Sequence, residues 1–239
     1  MVDMRNFYRA SASTGVLSFL SLFVVCTLFS GSAFAQEVGS IARVGGAAEV
    51  KGSDGKVREA KAKDPVFVAD TILTKAGGQV MVRLKDKSSL LVRENSQVVI
   101  EAFKFEKKPD DIVSTNVISG AVRAVSGQIA REKPSNAKFS VGTATVGIRG
   151  TDIELAIIPE GKQDRPGVYN YVYSGETQMT LATGESIIVE KEMSGFTPAN
   201  PKPGEALLVV LRDRPAFLQT TSFDALIQQL STPRIPVIR

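Results

Sequence analysis

The chain has 239 residues, 43% hydrophobic and 23% charged, with a formal net charge of +4 and neither histidine nor tryptophan. Without histidine it lacks the side chain that most often serves as a base near neutral pH and as a metal ligand. Ser–His and Cys–His nucleophile systems and ordinary zinc sites are therefore excluded.

Residues 1–35 read as a signal peptide. Arg5 and Arg9 give a basic start, residues 16–29 an apolar core, and Ala33-Phe34-Ala35 a small–x–small cleavage site before Gln36. The apolar core is short for a membrane span, which needs about 20 residues. An uncleaved anchor is the alternative. The single cysteine, Cys26, lies inside this leader and follows Val25, which argues against a lipid anchor. The expected mature chain is periplasmic or secreted, has no span after cleavage and has no disulfide to lean on.

From residue 40 to about 211 the pattern has period two. In "GQVMVRL", Val80, Val82 and Leu84 share one face, with Met81 and Arg83 on the other; Leu90 pairs with Val92, and Val98 with Ile100. Such runs bury one face and wet the other. Turn signals such as "GSDG", "KAGG", "KDKSS", "YSGE" and "ATGE" separate them at about 8–12 residue spacing, the rhythm of an all-β protein. The expected fold is all-β: an irregular β-solenoid or sandwich of mostly antiparallel hairpins, with a short C-terminal α-helix. A β domain is expected over 36–158, additional strands packed on it over 159–211, and a helix and tail over 212–239. "FKFEKKPDD" (103–111) reads as a solvated loop of mixed charge and not as a nucleic-acid patch, and "GFTPANPKPG" (195–204) as an exposed irregular loop. In "TSFDALIQQL", Phe223, Leu226, Ile227 and Leu230 have helical spacing, and Thr221 precedes Asp224 by a capping-box interval.

The stretch "KFSVGTATVGIRGTDIEL" carries the most specific pattern. It lacks the Lys-Ser/Thr that follows a phosphate-loop glycine, and its flanks read as strand, so neither a P-loop nor a dinucleotide fingerprint fits. Gly147 and Gly150 instead mark a bend or bulge. Arg149 would stand at that bend, able to bridge a carboxylate or backbone carbonyls, and Thr151 could fix it by a local hydrogen bond.

At these residues the chain resembles the FecR domain family, over roughly 44–155. Arg149-Gly150-Thr151 carries the resemblance, supported in order by Asp70, Thr74, the turn at Asp86–Ser88 and Gly120. The resemblance implies an extracytoplasmic all-β domain. The best-known members pass signals from outer-membrane iron transporters to a sigma factor; no catalytic set is carried over. Two departures stand out. Lys87 replaces the usual glycine of the Asp-Gly-Ser turn, which argues against a tight positive-φ hairpin. Ile153 replaces an aromatic. Regulatory members also carry a cytoplasmic domain and a span before this one, where this chain shows only the leader.

Two further groups draw attention. Tyr169, Tyr171 and Tyr173 alternate on one strand face opposite Val168 and Val172. They either form an exposed stripe able to stack on a ligand or pack against neighbours. Asp152 and Glu154 also share a strand face and are the first acids to suspect for glycoside hydrolysis, although adjacent same-strand acids point in parallel and do not flank a cleft. One of them could pair with Arg149.

The reading is a non-catalytic binding or scaffold module of the cell envelope, with no cofactor and no metal. Its ligand-binding candidates are Arg149, Thr151, Tyr169, Tyr171 and Tyr173. Its partner is an envelope protein or anionic polysaccharide, and not nucleic acid. The alternatives are an accessory in extracytoplasmic signalling and a carboxylate hydrolase.

Overall fold

The computed structural model describes residues 36–218 and 221–231. The leader expected over 1–35 lies outside them. In chain order the strands are β1 (Glu37–Gly45), β2 (Ala48–Lys51), β3 (Val57–Glu59), β4 (Pro65–Phe67), β5 (Thr71–Thr74), β6 (Gln79–Leu84), β7 (Ser89–Val92), β8 (Gln97–Lys104) and β9 (Ile112–Val125). A short helix, α1 (Gln128–Glu132), and a 3-10 turn (Pro134–Asn136) follow. The chain then forms β10 (Ala137–Val141), β11 (Ala144–Ile158), β12 (Gly167–Leu181), β13 (Ser186–Val189), β14 (Ser194–Pro198) and β15 (Val209–Leu211), and ends its described course in α2 (Ser222–Ser231).

The protein is all-β with a short C-terminal helix. The strands join into one open, branched, 15-stranded sheet. Pairing is antiparallel throughout, except that β10 runs parallel to the first half of β9, reached by the crossover through α1. The branching comes from long strands that bend and so serve two sets of neighbours. The first half of β9 pairs with β8 and β10, and its second half with β7 and β11. Likewise β11 pairs with β10 before its bend and with β9 after it, keeping β12 on its other side throughout.

The bends sit at glycine. In β9 it is Gly120, at φ +75°, where an added Cβ would fall 2.2 Å from Ser96 Oγ. In β11 it is Gly150, at φ +63°, and the register with β12 shifts between Arg149 and Asp152. Gly147, expected to share that role, keeps ordinary strand geometry with nearly open space beside it.

Period two decides what is buried. Val80, Val82, Leu84, Leu90, Val92, Val98 and Ile100 all enter one core, joined by Val122, Ile153, Leu155, Val168 and Val172. Beyond the Gly150 bend, β11 is buried on both faces from Thr151 to Ala156. On that second side of the sheet α2 packs over the neighbouring strands: its Phe223 and Ile227 form a separate apolar cluster with Met81 of β6, Leu91 of β7 and Val125 of β9.

Three local expectations are corrected. Lys87 does take a positive φ, +70°, because Asp86 Oδ1 accepts from both the Ser88 N–H and the Ser88 hydroxyl and so holds the turn without glycine. The stretch from Ser194 to Pro198 is a buried strand: Gly195 lets it lie against Met179 and Val189, either of which would stand 2.8 Å from a Cβ there. Phe103 and Lys104 complete β8, and Asp111 gathers the loop that follows by accepting from the backbone N–H groups of Glu106, Lys107 and Lys108. No helix among the described residues is long and apolar enough to cross a membrane.

Candidate functional site

Alternation that sends Val122, Ala124, Ile153 and Leu155 inward sends Arg123, Asp152 and Glu154 to the opposite face. Cross-strand register brings them together: Arg123 stands opposite Leu91 on β7 and opposite Glu154 on β11. Arg93, just past the end of β7, is held beside them by its N–H to the Ala121 carbonyl. Tyr173 comes from β12, and α2 closes the group with Asp224.

The result is a buried network of two guanidiniums and three carboxylates. The Arg93 Nε and Nη2 donate to Glu154 at 2.8 and 2.9 Å, and its Nη1 and Nη2 donate to Asp224 at 2.8 and 2.7 Å. Arg123 grips Asp152 with Nε and Nη2 at 2.9 and 2.7 Å, and its Nη1 donates to Asp224 at 2.8 Å. The Tyr173 hydroxyl donates to Glu154 at 2.7 Å, and the Arg123 guanidinium lies 4.0 Å from the Tyr173 ring centroid. Such forked pairs are the strongest ion pairs available to side chains. Asp224 also accepts from the Thr221 N–H and hydroxyl, so the predicted helix cap and the network share one carboxylate.

The network sets its own protonation. Burial works against the charged form of Arg93, but the hydrogen bonds it donates to Asp224 and Glu154 outweigh it and hold the guanidinium charged. Burial likewise opposes ionisation of Asp224, and Arg93, the Thr221 N–H and Arg123 together push its carboxyl well below the usual range. Burial and the neighbouring Glu154 raise the Tyr173 phenol.

Beside the network opens a cleft of about 460 Å³, lined by Arg93 and Glu154, by Gly120 and Ile157, and by Lys162 and Phe217. Ala216 and Phe217, ahead of α2, line it as well. Asp164 accepts from the Ala216 and Phe217 N–H groups at 2.8 and 2.6 Å and pins that segment down.

The candidates named from sequence land in different places. Arg149 is exposed at the β11 bend and pairs with neither acid, since Asp152 and Glu154 face Arg123 and Arg93. Thr151 is buried and bonds across the sheet, not locally: its N–H donates to Ser126 Oγ at 2.8 Å, and its carbonyl accepts from the Ser126 N–H at 2.9 Å. The tyrosines do share a face opposite Val168 and Val172, but it is no open stripe. Tyr169 packs between Phe196 and Phe217, with ring centroids at 4.6 and 5.3 Å, and donates to the Arg165 carbonyl. Tyr171 is buried edge-on to Tyr173. Phe196 and Phe217 cover Tyr169, and Arg123 packs on the Tyr173 ring, so the three tyrosines are arranged as the packing alternative has them.

Sequence reasoning missed Arg93, Arg123 and the role of Asp224. The signal was present in "GAVRAVSG", where one arginine interrupts an apolar strand on its outward parity, and in "SLLVRE".

Most of the motif residues sit at the bends that build this face, and Asp70 holds the turn before β5. Gly120 packs on Ser96, whose N–H donates to Thr74 Oγ1; Asp70 accepts from the Phe67 N–H and Arg58; Gly150 and Thr151 set the entry to Asp152 and Glu154. Residues 70–176 match the family described as FecR protein. The chain carries a FecR domain. The matched span runs from the turn just before β5 through the middle of β12, so it holds four of the five network charges and leaves Asp224 outside.

Among solved structures, the chain is similar to a cell surface anchoring domain, at 28% identity over 27% of this chain and 84% of that one, with a TM-score of 0.26. Two structures of a candidate anti-sigma factor from Parabacteroides distasonis ATCC 8503 share 11% identity, with TM-scores of 0.45 and 0.44. This FecR-domain chain covers 58% of their length, and they cover 59% of it. No curated protein matches.

Proposed function

We propose that this protein is a non-catalytic binding module with a FecR domain, working in the bacterial envelope and serving extracytoplasmic regulation through a separate membrane protein. The observation that carries this reading is the state of Asp152 and Glu154. Both acids suspected of hydrolytic chemistry are gripped by arginines at the foot of a docked helix. General acid–base work needs a carboxyl free to exchange a proton with substrate; Asp152 is held by Arg123, and Glu154, although it borders the cleft, is taken up by Arg93 and the Tyr173 hydroxyl. The FecR domain and the sequence of the leader support the regulatory and envelope parts of the reading.

The partner is a protein, recognised by surface contact. The test is affinity capture from an envelope extract with the mature chain as bait, at low and moderate salt, followed by crosslinking to map contacts. Enrichment of the same membrane protein at both salts, crosslinked to the FecR-domain face, is the expected result. Capture of polyanions only, dissolving at moderate salt, or of nothing at either salt, overturns it.

A further inference from the structure

The FecR-domain face is electrically complete without α2. Arg93 with Glu154 and Arg123 with Asp152 form two bidentate pairs within the sheet, and their charges cancel. Asp224 is a fifth charge, brought from outside the family-matched span, and it takes the N–H groups that the sheet pairs leave over: Nη1 of each arginine and a shared Nη2 of Arg93. Removing one member of a buried pair normally strands its partner. Withdrawing Asp224 strands neither arginine, because each keeps its own carboxylate.

The rest of the contact is also that of an occupant. The apolar seat is made of Met81, Leu91 and Val125 beneath Phe223 and Ile227, with Leu226 at its edge and Arg43 lying 5.0 Å from the Phe223 ring centroid. A helix the length of α2 is too short to persist by itself in water, so its order comes from the seat. The segment leading to it rests on a separate anchor, Asp164, at the cleft that Arg93 and Glu154 also line.

The geometry points to an exchangeable socket: two arginines, each neutralised within the sheet, that accept one additional carboxylate from the first turn of an amphipathic helix whose next-turn apolar side chain fills the Met81–Leu91–Val125 seat. α2 is the resident occupant. A partner helix with the same chemistry, an acidic residue followed three positions later by a large aliphatic one, takes its place. This names a surface and a partner chemistry for the binding role proposed above and rests on that reading only for its biological use.

The test uses the full mature chain and a fluorescein-labelled peptide with the sequence of residues 221–231. In the Asp224→Ala chain the resident helix is weakened while both sheet pairs stay. The peptide is expected to bind this chain at least ten-fold more tightly than the native chain, and its Asp→Asn version to lose at least ten-fold. Hydrogen exchange of the α2 amides in the native chain is expected to be at least ten-fold faster than that of β9 and β11. Equal peptide affinity for both chains, indifference to the peptide carboxylate, or α2 exchange as slow as that of β11 overturns the socket. So does collapse of the Asp224→Ala chain to a non-cooperative state, because α2 would then be an integral layer and not an occupant. These readouts need no envelope partner. A captured membrane protein with no peptide exchange moves binding to another surface, and peptide exchange with no captured protein leaves the socket in place and removes the proposed role.

Discussion

Arg93 and Asp224 stand 131 positions apart in the chain and are joined by two hydrogen bonds of 2.7 and 2.8 Å. The same guanidinium holds Glu154 from the opposite side, so one side chain ties a central strand, the end of β7 and the C-terminal helix.

Replacing Arg93 by methionine is therefore expected to be severe. Glu154 would remain buried with only the Tyr173 hydroxyl to offset its charge, and breaking a buried pair in this way costs about 3–5 kcal/mol. At about 2–4 °C per kcal/mol for a chain of this size, calorimetry should show a fall in Tm of at least about 6 °C. The double change of Arg93→Met with Glu154→Leu should recover much of the loss, since it removes both charges. A loss under 1 kcal/mol in the single variant would contradict the network.

Two buried aspartates should give opposite pH behaviour. Asp224 has a depressed carboxyl in the fold, so its stabilisation is present above the unfolded value of about 3.9 and disappears only as pH falls through the lower folded value. Burial raises Asp70, against the Phe67 N–H and Arg58. Its ionised form therefore burdens the fold at neutral pH, and the burden lifts as pH falls through the raised value. Relative to the native chain, Asp70→Asn should look better at pH 7 than at pH 4, and Asp224→Asn should be worse at both. Urea denaturation at the two pH values measures each difference.

Alanine at three glycines forms a graded series. Gly147→Ala meets nothing closer than 3.9 Å and should be neutral or stabilising by up to about 1 kcal/mol. Gly150→Ala has open space but a positive φ, which costs about 1–2 kcal/mol. Gly120→Ala combines positive φ with a Cβ 2.6 Å from Ser96 Cα, and should cost more than about 2 kcal/mol. Chemical denaturation that ranked them in any other order would contradict the placement of the bends.

Tyr171→Ala should destabilise by about 3–5 kcal/mol, as for truncation of any buried aromatic. Tyr173→Phe removes only a hydroxyl, and about 1.5 kcal/mol is expected for a lost bond to a charged acceptor. Near-native stability in both, paired with loss of a bound ligand, would restore the exposed-stripe reading.

The sequence made the body of the fold legible because alternation is local. The partners of Val80, Val98 and Leu90 need not be known to assign their faces. The helix was legible for the same reason: Thr221 and Asp224 announce a cap within four residues. What escaped was whatever depends on register between distant strands. Asp152 and Glu154 were correctly placed on one face, yet nothing near them in the chain names Arg93 or Arg123 as partners. The tyrosine stripe was correctly placed too. Whether Phe196 and Phe217 cover it depends on the path of the C-terminal chain, which leaves no local trace. The bend was expected to involve Gly147, and only backbone geometry shows that Gly150 alone carries it.

Four strands have a neighbour on one side only among the described pairings: β3, β4, β13 and β15. Each is three or four residues long, and β4 begins with Pro65, which has no N–H to offer. A strand from another molecule laid along any of them would find too few backbone groups to hold it. The large open sheet is thus blunted at its margins, and its copies should stay apart as discrete particles at concentrations where a long bare edge would seed fibres.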